Sequence, residues 1–199
     1  MASPFGYEPL QPPVVVVSPQ FCAPDVVPLT VTKKVASLSG GDFTVTDSNG
    51  AVVLQFKGSV WSVRNRRVLL DAAGQPILSM HEKILSMHNT WEVFRGDSSS
   101  ASDLLFTVKR STLLQLRTEM DVFLAGNTAK QACDFKIKGS YFVFYLGDSD
   151  TMIAQISRKY TASNVLLGKD TFNVPGVDHV FVAALVVVLD EVHSRDRNY

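Results

Sequence analysis

Short segments in which apolar and polar residues alternate make up most of the chain. In residues 29–35, Leu29 and Val31 alternate with threonines, and residues 135–139 alternate Phe135 and Ile137 with two lysines. Strict alternation over four to eight residues is typical of a strand with one buried face. About a dozen such segments occur, and turns separate them, among them an Asn-Gly pair at residues 49–50, a strong hairpin signal. The pattern predicts a mostly β domain.

One segment near the carboxyl terminus is different, because residues 180–189 contain no polar side chain. Its five valines favour a strand. Its length, the preceding Pro175-Gly176 and a capping residue at Asp178 favour a helix over about 178–192. Drawn as a helix, the segment is apolar on every side, and such a helix must be buried. The predicted buried positions are Val180, Phe181, Ala184, Leu185, Val188 and Leu189.

The predicted helix also indicates what surrounds it. A helix with its side chains is about 10–12 Å wide, and an eight-stranded barrel is filled by its own side chains, whereas a larger one has room for contents. We therefore expect an α+β, mostly β fold: a closed antiparallel barrel of about 12 strands around a central hydrophobic C-terminal helix, with residues 29–199 as one domain. Asp190 and Glu191 oppose the helix dipole at its end, a cost that burial should outweigh.

Residues 1–28 have a different composition, because they hold seven of the nine prolines. Proline cannot donate to a sheet ladder, and several close together exclude a helix. The segment is interpreted as an extended arm laid over the domain, with residues 14–17 and Phe21 as anchors. A disordered tail is the alternative. Among the other segments, 60–65 and 113–116 are predicted as extended, and 82–89 as either a short helix or a strand.

Charge and targeting signals limit the classes of function. Lys+Arg and Asp+Glu both number 19, so no net field draws the chain to nucleic acid. No secretory signal is visible, and residues 180–189 are shorter than the roughly 20 apolar residues of a membrane span. We expect a soluble, intracellular monomer, in the cytoplasm, at the plasma membrane surface or in the nucleus. Cys22 and Cys133 could form one disulfide, but free thiols are expected.

No motif indicates catalysis or a metal site. The histidines show neither the HExxH pattern nor zinc-ligand spacing, and Asp148 and Asp150 lie in a predicted turn, where aspartate serves the backbone. These histidines are His81, His88, His179 and His193. We expect no catalytic residue, no metal, no cofactor and no enzyme activity.

Basic pairs are the one local signal for a ligand. Alternation places Lys136 with Lys138 on one outer face, and Arg64 with Arg66 likewise, while Arg158 and Lys159 are adjacent. If neighbouring strands bring such pairs together, they could bind the phosphates of an anionic phospholipid or phosphoinositide headgroup. The alternative is an ordinary solvated barrel exterior. Two further pairs are Lys33-Lys34 and Lys109-Arg110.

Four phrases of the sequence resemble the plant LURP-one-related proteins. They are Val17-Ser-Pro-Gln-Phe-Cys-Ala-Pro24, Leu70-Asp-Ala-Ala-Gly-Gln-Pro-Ile77, Trp91-Glu-Val-Phe-Arg-Gly96 and Pro175-Gly-Val-Asp178. The resemblance covers essentially the whole chain and implies a tubby C-terminal-like fold, a twelve-stranded barrel threaded by a hydrophobic helix. The wider superfamily includes phospholipid scramblases and tubby proteins.

The resemblance also implies a short set of functions. The first is a membrane-tethered signalling or transcription-regulatory module that binds phosphoinositide or another anionic lipid, with a role in plant defence. The alternatives are a protein-interaction scaffold without a lipid site and a scramblase-like mover of lipids.

Overall fold

The computed structural model describes residues 12–25, 28–34, 42–58, 65–83, 90–111, 119–138, 143–158, 169–173 and 176–196. In this part of the chain, twelve strands precede one α-helix, and short 3-10 turns cover Pro19–Phe21 and Ala101–Asp103. The strands are β1 (Leu29–Lys33), β2 (Phe43–Thr46), β3 (Val52–Gly58), β4 (Arg67–Asp71), β5 (Pro76–Glu82), β6 (Trp91–Arg95), β7 (Leu104–Arg110), β8 (Glu119–Leu124), β9 (Phe135–Lys138), β10 (Val143–Leu146), β11 (Met152–Arg158) and β12 (Lys169–Asn173). The helix is α1 (His179–Asp196).

Each strand pairs antiparallel with its neighbours in sequence, from β1 with β2 through β11 with β12. In addition, β1 pairs with β12, with Leu29 opposite Phe172 and Thr32 opposite Lys169. The order around the barrel is therefore β1-β12-β11-β10-β9-β8-β7-β6-β5-β4-β3-β2. Each of the twelve described strands therefore has a partner on both sides, which leaves none of them as an exposed edge.

The inner face of this wall is apolar because residues paired across antiparallel strands point to the same side. Phe43 of β2 pairs with Phe56 of β3, and their rings meet edge to face at 6.3 Å. Met120 of β8 likewise pairs with Ile137 of β9, and both side chains are buried. The alternating positions that predicted the strands thus line the core.

Helix α1 fills the space inside the wall. All of residues 180–189 are at most 2% exposed, so the helix is buried on every side. Phe181 contacts the rings of Phe106 and Phe135, each with a centroid distance of 5.1 Å. The predicted helix is confirmed, and it extends four residues beyond its expected end, from 192 to 196. A helix satisfies its own backbone hydrogen bonds inside such a wall, whereas a lone strand would not.

The mostly β class with one C-terminal helix is confirmed. The alternating segments 29–35 and 135–139 contain β1 and β9, respectively. Residues 60–64 and 113–116, and residues 84–89 of the ambiguous segment, lie outside the described residues. No helix in the described part of the chain is long and apolar enough to cross a bilayer. Both cysteines are free thiols.

The central helix allows a direct test of its contribution to stability. Leu185→Ala should lower the free energy of unfolding by about 2–5 kcal/mol, because it leaves a cavity in a dry, closely packed core. Urea denaturation followed by circular dichroism measures the change. The matched control is Leu146→Ala, since Leu146 is 45% exposed, and its effect should stay within about 0.5 kcal/mol. Equal losses for the two variants would contradict the buried helix.

Candidate functional site

The barrel has two chemically different ends. Arm residues 12–25 bind at the end of the barrel where α1 begins, and we call it the arm end. The opposite end, where α1 finishes, is called the cationic end. Arg95, the last residue of β6, donates to the Val17 carbonyl of the arm at 3.0 Å. Lys33, the last residue of β1, contacts Asp190 near the end of α1. Odd-numbered strands therefore run from the arm end to the cationic end, and even-numbered strands run back.

Asp178 connects the arm to the helix. Its side chain is fully buried, and its Oδ1 accepts a hydrogen bond from the Phe181 amide at 3.0 Å, which caps α1 as predicted. Its Oδ2 accepts from the amides of Val17 at 2.7 Å and Ser18 at 3.1 Å, with Val16 at 3.4 Å. One buried carboxylate thus holds the first turn of the helix and three consecutive amides of the arm.

Backbone pairing and side-chain packing complete the attachment of the arm. The Val14 amide donates to the Gly176 carbonyl at 2.8 Å, and the Gly176 amide donates to the Ala23 carbonyl at 2.9 Å. The ring of Phe21 meets the ring of His179 edge to face at 5.5 Å. Burial lowers the pKa of His179, which favours the neutral imidazole in this contact. Residues 12–25 are thus attached to the barrel, whereas residues 1–11 of the predicted arm lie outside the described residues.

At the cationic end, two ion pairs hold the end of α1. Lys33 of β1 contacts Asp190 at 2.6 Å, and Arg67 of β4 contacts Glu191 at 2.5 Å. Both cations also lie over the ring of Phe43, at 5.4 and 5.6 Å from its centroid. The two acidic residues that oppose the helix dipole are therefore compensated by cations from the wall.

Cations gather at this end of the barrel because they occupy the last positions of odd strands and the first positions of even ones. We call this set the cationic rim. Among the side chains that the structure describes, it consists of Lys33, Lys34, Lys57, Arg66, Arg67, Lys83, Lys109, Arg110 and Lys138. The other cations among these side chains are Arg95, Lys130 and Lys136, which lie towards the arm end.

Carboxylates lie at both ends, since Asp42, Glu82, Glu92, Glu119, Asp190 and Glu191 lie at the cationic end. Many others lie in the arm or in the connections of the arm end, namely Asp25, Asp47, Asp71, Asp103, Asp134, Asp148, Asp150 and Asp178. The chain has zero formal net charge, yet the fold concentrates most of the described cations at one end, whereas the carboxylates are divided between both ends. A local field can therefore exist where the total charge predicts none.

Lys136 and Lys138, the predicted basic pair on β9, make different contacts. Lys136 forms ion pairs with the carboxylates of Asp148 and of Asp121, the latter at 3.7 Å. The hydrogen bond to Asp148 raises the pKa of Lys136, and the same bond lowers the pKa of Asp148. Lys138 instead lies 5.1 Å from the centroid of the Tyr145 ring. Lys136 is thus neutralised locally, and Lys138 belongs to the rim.

The remaining predicted pairs do not join this pair in one patch. Arg66 forms an ion pair with Asp97 and precedes β4, and at least four strands separate β4 from β9. Arg158 is paired in register with Asp170 of β12, while Arg64 and Lys159 lie outside the described residues. In this part of the chain, cations lie near one another because they occupy the same end of the barrel, and the predicted pairs do not form one patch.

The two thiols and the histidines that the structure describes show no arrangement typical of a nucleophilic site. Burial, followed by the charge of Asp178, raises the pKa of Cys22, and burial also raises the pKa of Cys133. A raised pKa disfavours the reactive thiolate. His81 stacks on Phe94 at 5.0 Å in the wall. Within the described ranges, no group of three His, Cys, Asp or Glu side chains could hold a metal ion.

The sequence contains a signal for the cationic rim that adjacent basic pairs taken one at a time do not show. Basic residues recur where alternate predicted strands end or begin, as in Lys33-Lys34, Lys109-Arg110 and Arg158-Lys159. In an antiparallel barrel, alternate connections meet at the same end. Sorting charges by connection, rather than by adjacent pairs, would have identified this end.

Comparison with known proteins places the chain in a family. The model of the LURP-one-related family matches residues 27–190. The chain belongs to the LURP-one-related family. It is 47% identical to protein LURP-one-related 15 of Arabidopsis thaliana over 190 residues, which cover 92% of this chain and 88% of that protein. It is 40% identical to protein LURP1 of the same organism, with 93% of each chain covered.

A solved structure supports the same fold. An X-ray structure of an Arabidopsis thaliana protein matches with a TM-score of 0.69 and 39% sequence identity, covering 90% of this chain and 98% of that one. The resemblance predicted from the four sequence phrases is therefore confirmed at the level of the LURP-one-related family. Kinship with tubby proteins and scramblases stays a prediction.

The ion pair between Arg67 and Glu191 should be essential to the end of α1. Arg67→Met leaves the mostly buried Glu191 carboxylate without this partner and should cost about 3–5 kcal/mol in unfolding free energy. Arg67→Met combined with Glu191→Met should recover most of the loss, as urea denaturation would show. The control Lys83→Met breaks an exposed pair with Glu92 and should cost less than about 1 kcal/mol. No recovery in the double variant would contradict the pairing.

Asp178 should matter more than an ordinary helix cap. Asp178→Ala should cost more than about 2 kcal/mol, because a cap alone contributes about 1 kcal/mol and the arm amides also lose their acceptor. Hydrogen exchange should show faster exchange at Val16, Val17 and Ser18. The control Asp71→Ala removes a carboxylate that accepts from Gln75 in an exposed turn. A loss no larger than that of the control would contradict the role of Asp178.

Proposed function

We propose that this LURP-one-related protein is a non-catalytic, membrane-tethered regulatory module that binds anionic phospholipid headgroups with its cationic rim. The observation that carries the proposal is the concentration of cations: described lysines and arginines of six different strands or their flanks lie at one end of the barrel. A role in plant defence signalling or in transcription regulation is the biological setting that the family resemblance implies.

Part of the rim faces away from the helix and is available to a ligand. Lys33 and Arg67 are occupied by Asp190 and Glu191. Lys34 and Lys57 are exposed, and they flank β2 on either side, since β1 and β3 both pair with β2. The carboxylate of Asp42, which lies between them, accepts from the Gly58 amide at 3.0 Å. This sector therefore offers two solvated ammonium groups to an anionic surface.

The magnitude of the interaction fits reversible tethering. Each lysine or arginine near an anionic membrane contributes about 1 kcal/mol, and the attraction falls off within about 10 Å. A few rim cations would give weak, salt-sensitive binding, with the barrel standing on its cationic end. The carboxylates of the arm end would then face away from the membrane, where they are not repelled.

The filled interior favours headgroup binding over the other functions. β1 pairs with β12, and residues 180–189 occupy the space inside the wall. An acyl chain would have to displace those side chains, which argues against a scramblase-like path through the barrel. The raised pKa values of Cys22 and Cys133 argue against thiol catalysis. A scaffold without a lipid site is the alternative that the experiment below separates.

Vesicle flotation tests the proposal with charge reversals at the two ends. The full chain should float with phosphatidylcholine vesicles that contain phosphatidylserine or a phosphoinositide at low salt, and binding should fall as salt rises. Lys34→Glu and Lys57→Glu should each weaken binding about fivefold or more, since each removes a rim cation worth about 1 kcal/mol. Comparing the two lipids distinguishes general charge attraction from phosphoinositide preference.

The control is Lys130→Glu, an exposed lysine of the arm end with the same change of net charge. It should leave binding nearly unchanged. If the wild-type chain does not float with either vesicle at low salt, the lipid proposal is wrong and the scaffold alternative is preferred. If Lys130→Glu weakens binding as much as the rim variants, the proposed location is wrong.

A further inference from the structure

The arm contains a Ser-Pro step at the point where it meets Asp178. Ser18 has an extended backbone, with φ −161° and ψ 145°, and begins the 3-10 turn Pro19–Phe21 without a capping bond from its side chain. Its amide donates to Asp178 Oδ2 at 3.1 Å. Ser18 is partly exposed, and Pro19 and Gln20 are exposed. The hydroxyl is therefore not used by the cap, while the backbone of the same residue holds the arm.

We propose that Ser18 is a phosphorylation site for a proline-directed protein kinase, and that phosphate there releases the arm from Asp178. In the reaction, Ser18 Oγ attacks the γ-phosphorus of ATP and the bond to the ADP oxygen breaks. The hydroxyl proton passes to the catalytic base of the kinase. Serine followed by proline in an extended segment is the substrate chemistry that such kinases recognise. The kinase reaches Ser18 when the arm opens locally, as segments outside the core of a domain do.

The charge balance at Asp178 determines the direction of the effect. A phosphoserine carries about −1.5 to −2 charges at neutral pH. The Asp178 carboxylate is fully buried, so solvent and salt screen its repulsion of a phosphate on Ser18 only weakly. The same carboxylate accepts from three consecutive arm amides, and displacing Ser18 disturbs all three bonds together.

Arg95 supplies the competing attraction. Its guanidinium donates to the Val17 carbonyl at 3.0 Å, so it lies close enough to meet a phosphate on the next residue. Arg95 is exposed, however, and exposed ion pairs contribute about 0–1 kcal/mol. The repulsion from a buried charge is the larger effect, and release of the arm follows.

Release would uncover apolar surface at the arm end. Val17 is buried in the bound arm, and Val14, Val16 and Phe21 pack against the core. Detachment exposes these side chains and the surface around Val177 that they cover. This end is opposite the cationic rim, so the switch does not depend on the proposed lipid site and the two proposals can fail independently.

The experiment treats the full chain with a mitogen-activated protein kinase and ATP, in a Ser3→Ala background that removes the Ser3-Pro4 step. Mass spectrometry should find one phosphate on Ser18, and none after the further change Ser18→Ala. In the phosphorylated chain, the amides of Val16, Val17 and Ser18 should exchange at least about tenfold faster, the factor for losing one hydrogen bond to a charged group. Amides in the middle of β7 should be unchanged.

Substitutions provide a second measurement that needs no kinase. Ser18→Glu should speed exchange of the same arm amides relative to Ser18→Gln, which matches it in size without the charge. If Ser18 stays unmodified while a standard substrate of the kinase is phosphorylated, the proposal is wrong. If phosphate leaves exchange unchanged, or slows it because Arg95 clamps the phosphate, release of the arm is wrong.

Discussion

The burial of a helix that is apolar on every side is the interaction on which the rest of the structure depends. Such a helix cannot lie on a surface without exposing half of its side chains to water. The wall of twelve described strands surrounds it, and the inner positions of those strands contact it, as Phe106 and Phe135 contact Phe181. Wall and helix therefore stabilise each other, because neither has another place to bury its apolar face.

The two ends of the helix are fixed by charged groups of different kinds. At its start, the buried Asp178 carboxylate accepts amide hydrogen bonds from both the helix and the arm. At its end, Lys33 and Arg67 neutralise Asp190 and Glu191. The apolar side chains provide the driving force for burial. They do not fix the position of α1 along the barrel axis, because a helix shifted along that axis would bury a similar apolar area. The polar contacts at the ends specify one position.

The same arrangement concentrates cations at one end of the barrel. Because the described strands are antiparallel to their neighbours, basic residues at alternate connections meet at one end, whereas carboxylates lie at both ends. This concentration of cations supports the proposed tethering to anionic lipid. It lies opposite the arm, where Ser18 and Asp178 are found.

The four phrases of the sequence were sufficient to identify the family. The alternation was sufficient to predict most strands, because the side chains of a half-buried strand repeat every two residues. The buried helix was predictable for a similar reason: ten consecutive apolar residues leave no polar face. The N-terminal cap by Asp178 was also expected, since a cap is a local interaction between residues three apart.

The tertiary structure decided what depends on residues far apart in sequence. No local pattern shows that Asp178 also binds the amides of Val17 and Ser18, or that Glu191 meets Arg67. The predicted basic pairs separated for the same reason, since Lys136 was neutralised by Asp121 and Asp148 while Lys138 stayed at the rim. Periodicity determines which face of an element is buried, whereas register and strand order determine which charges meet. Those are properties of the assembled wall, because each pairing depends on all the others.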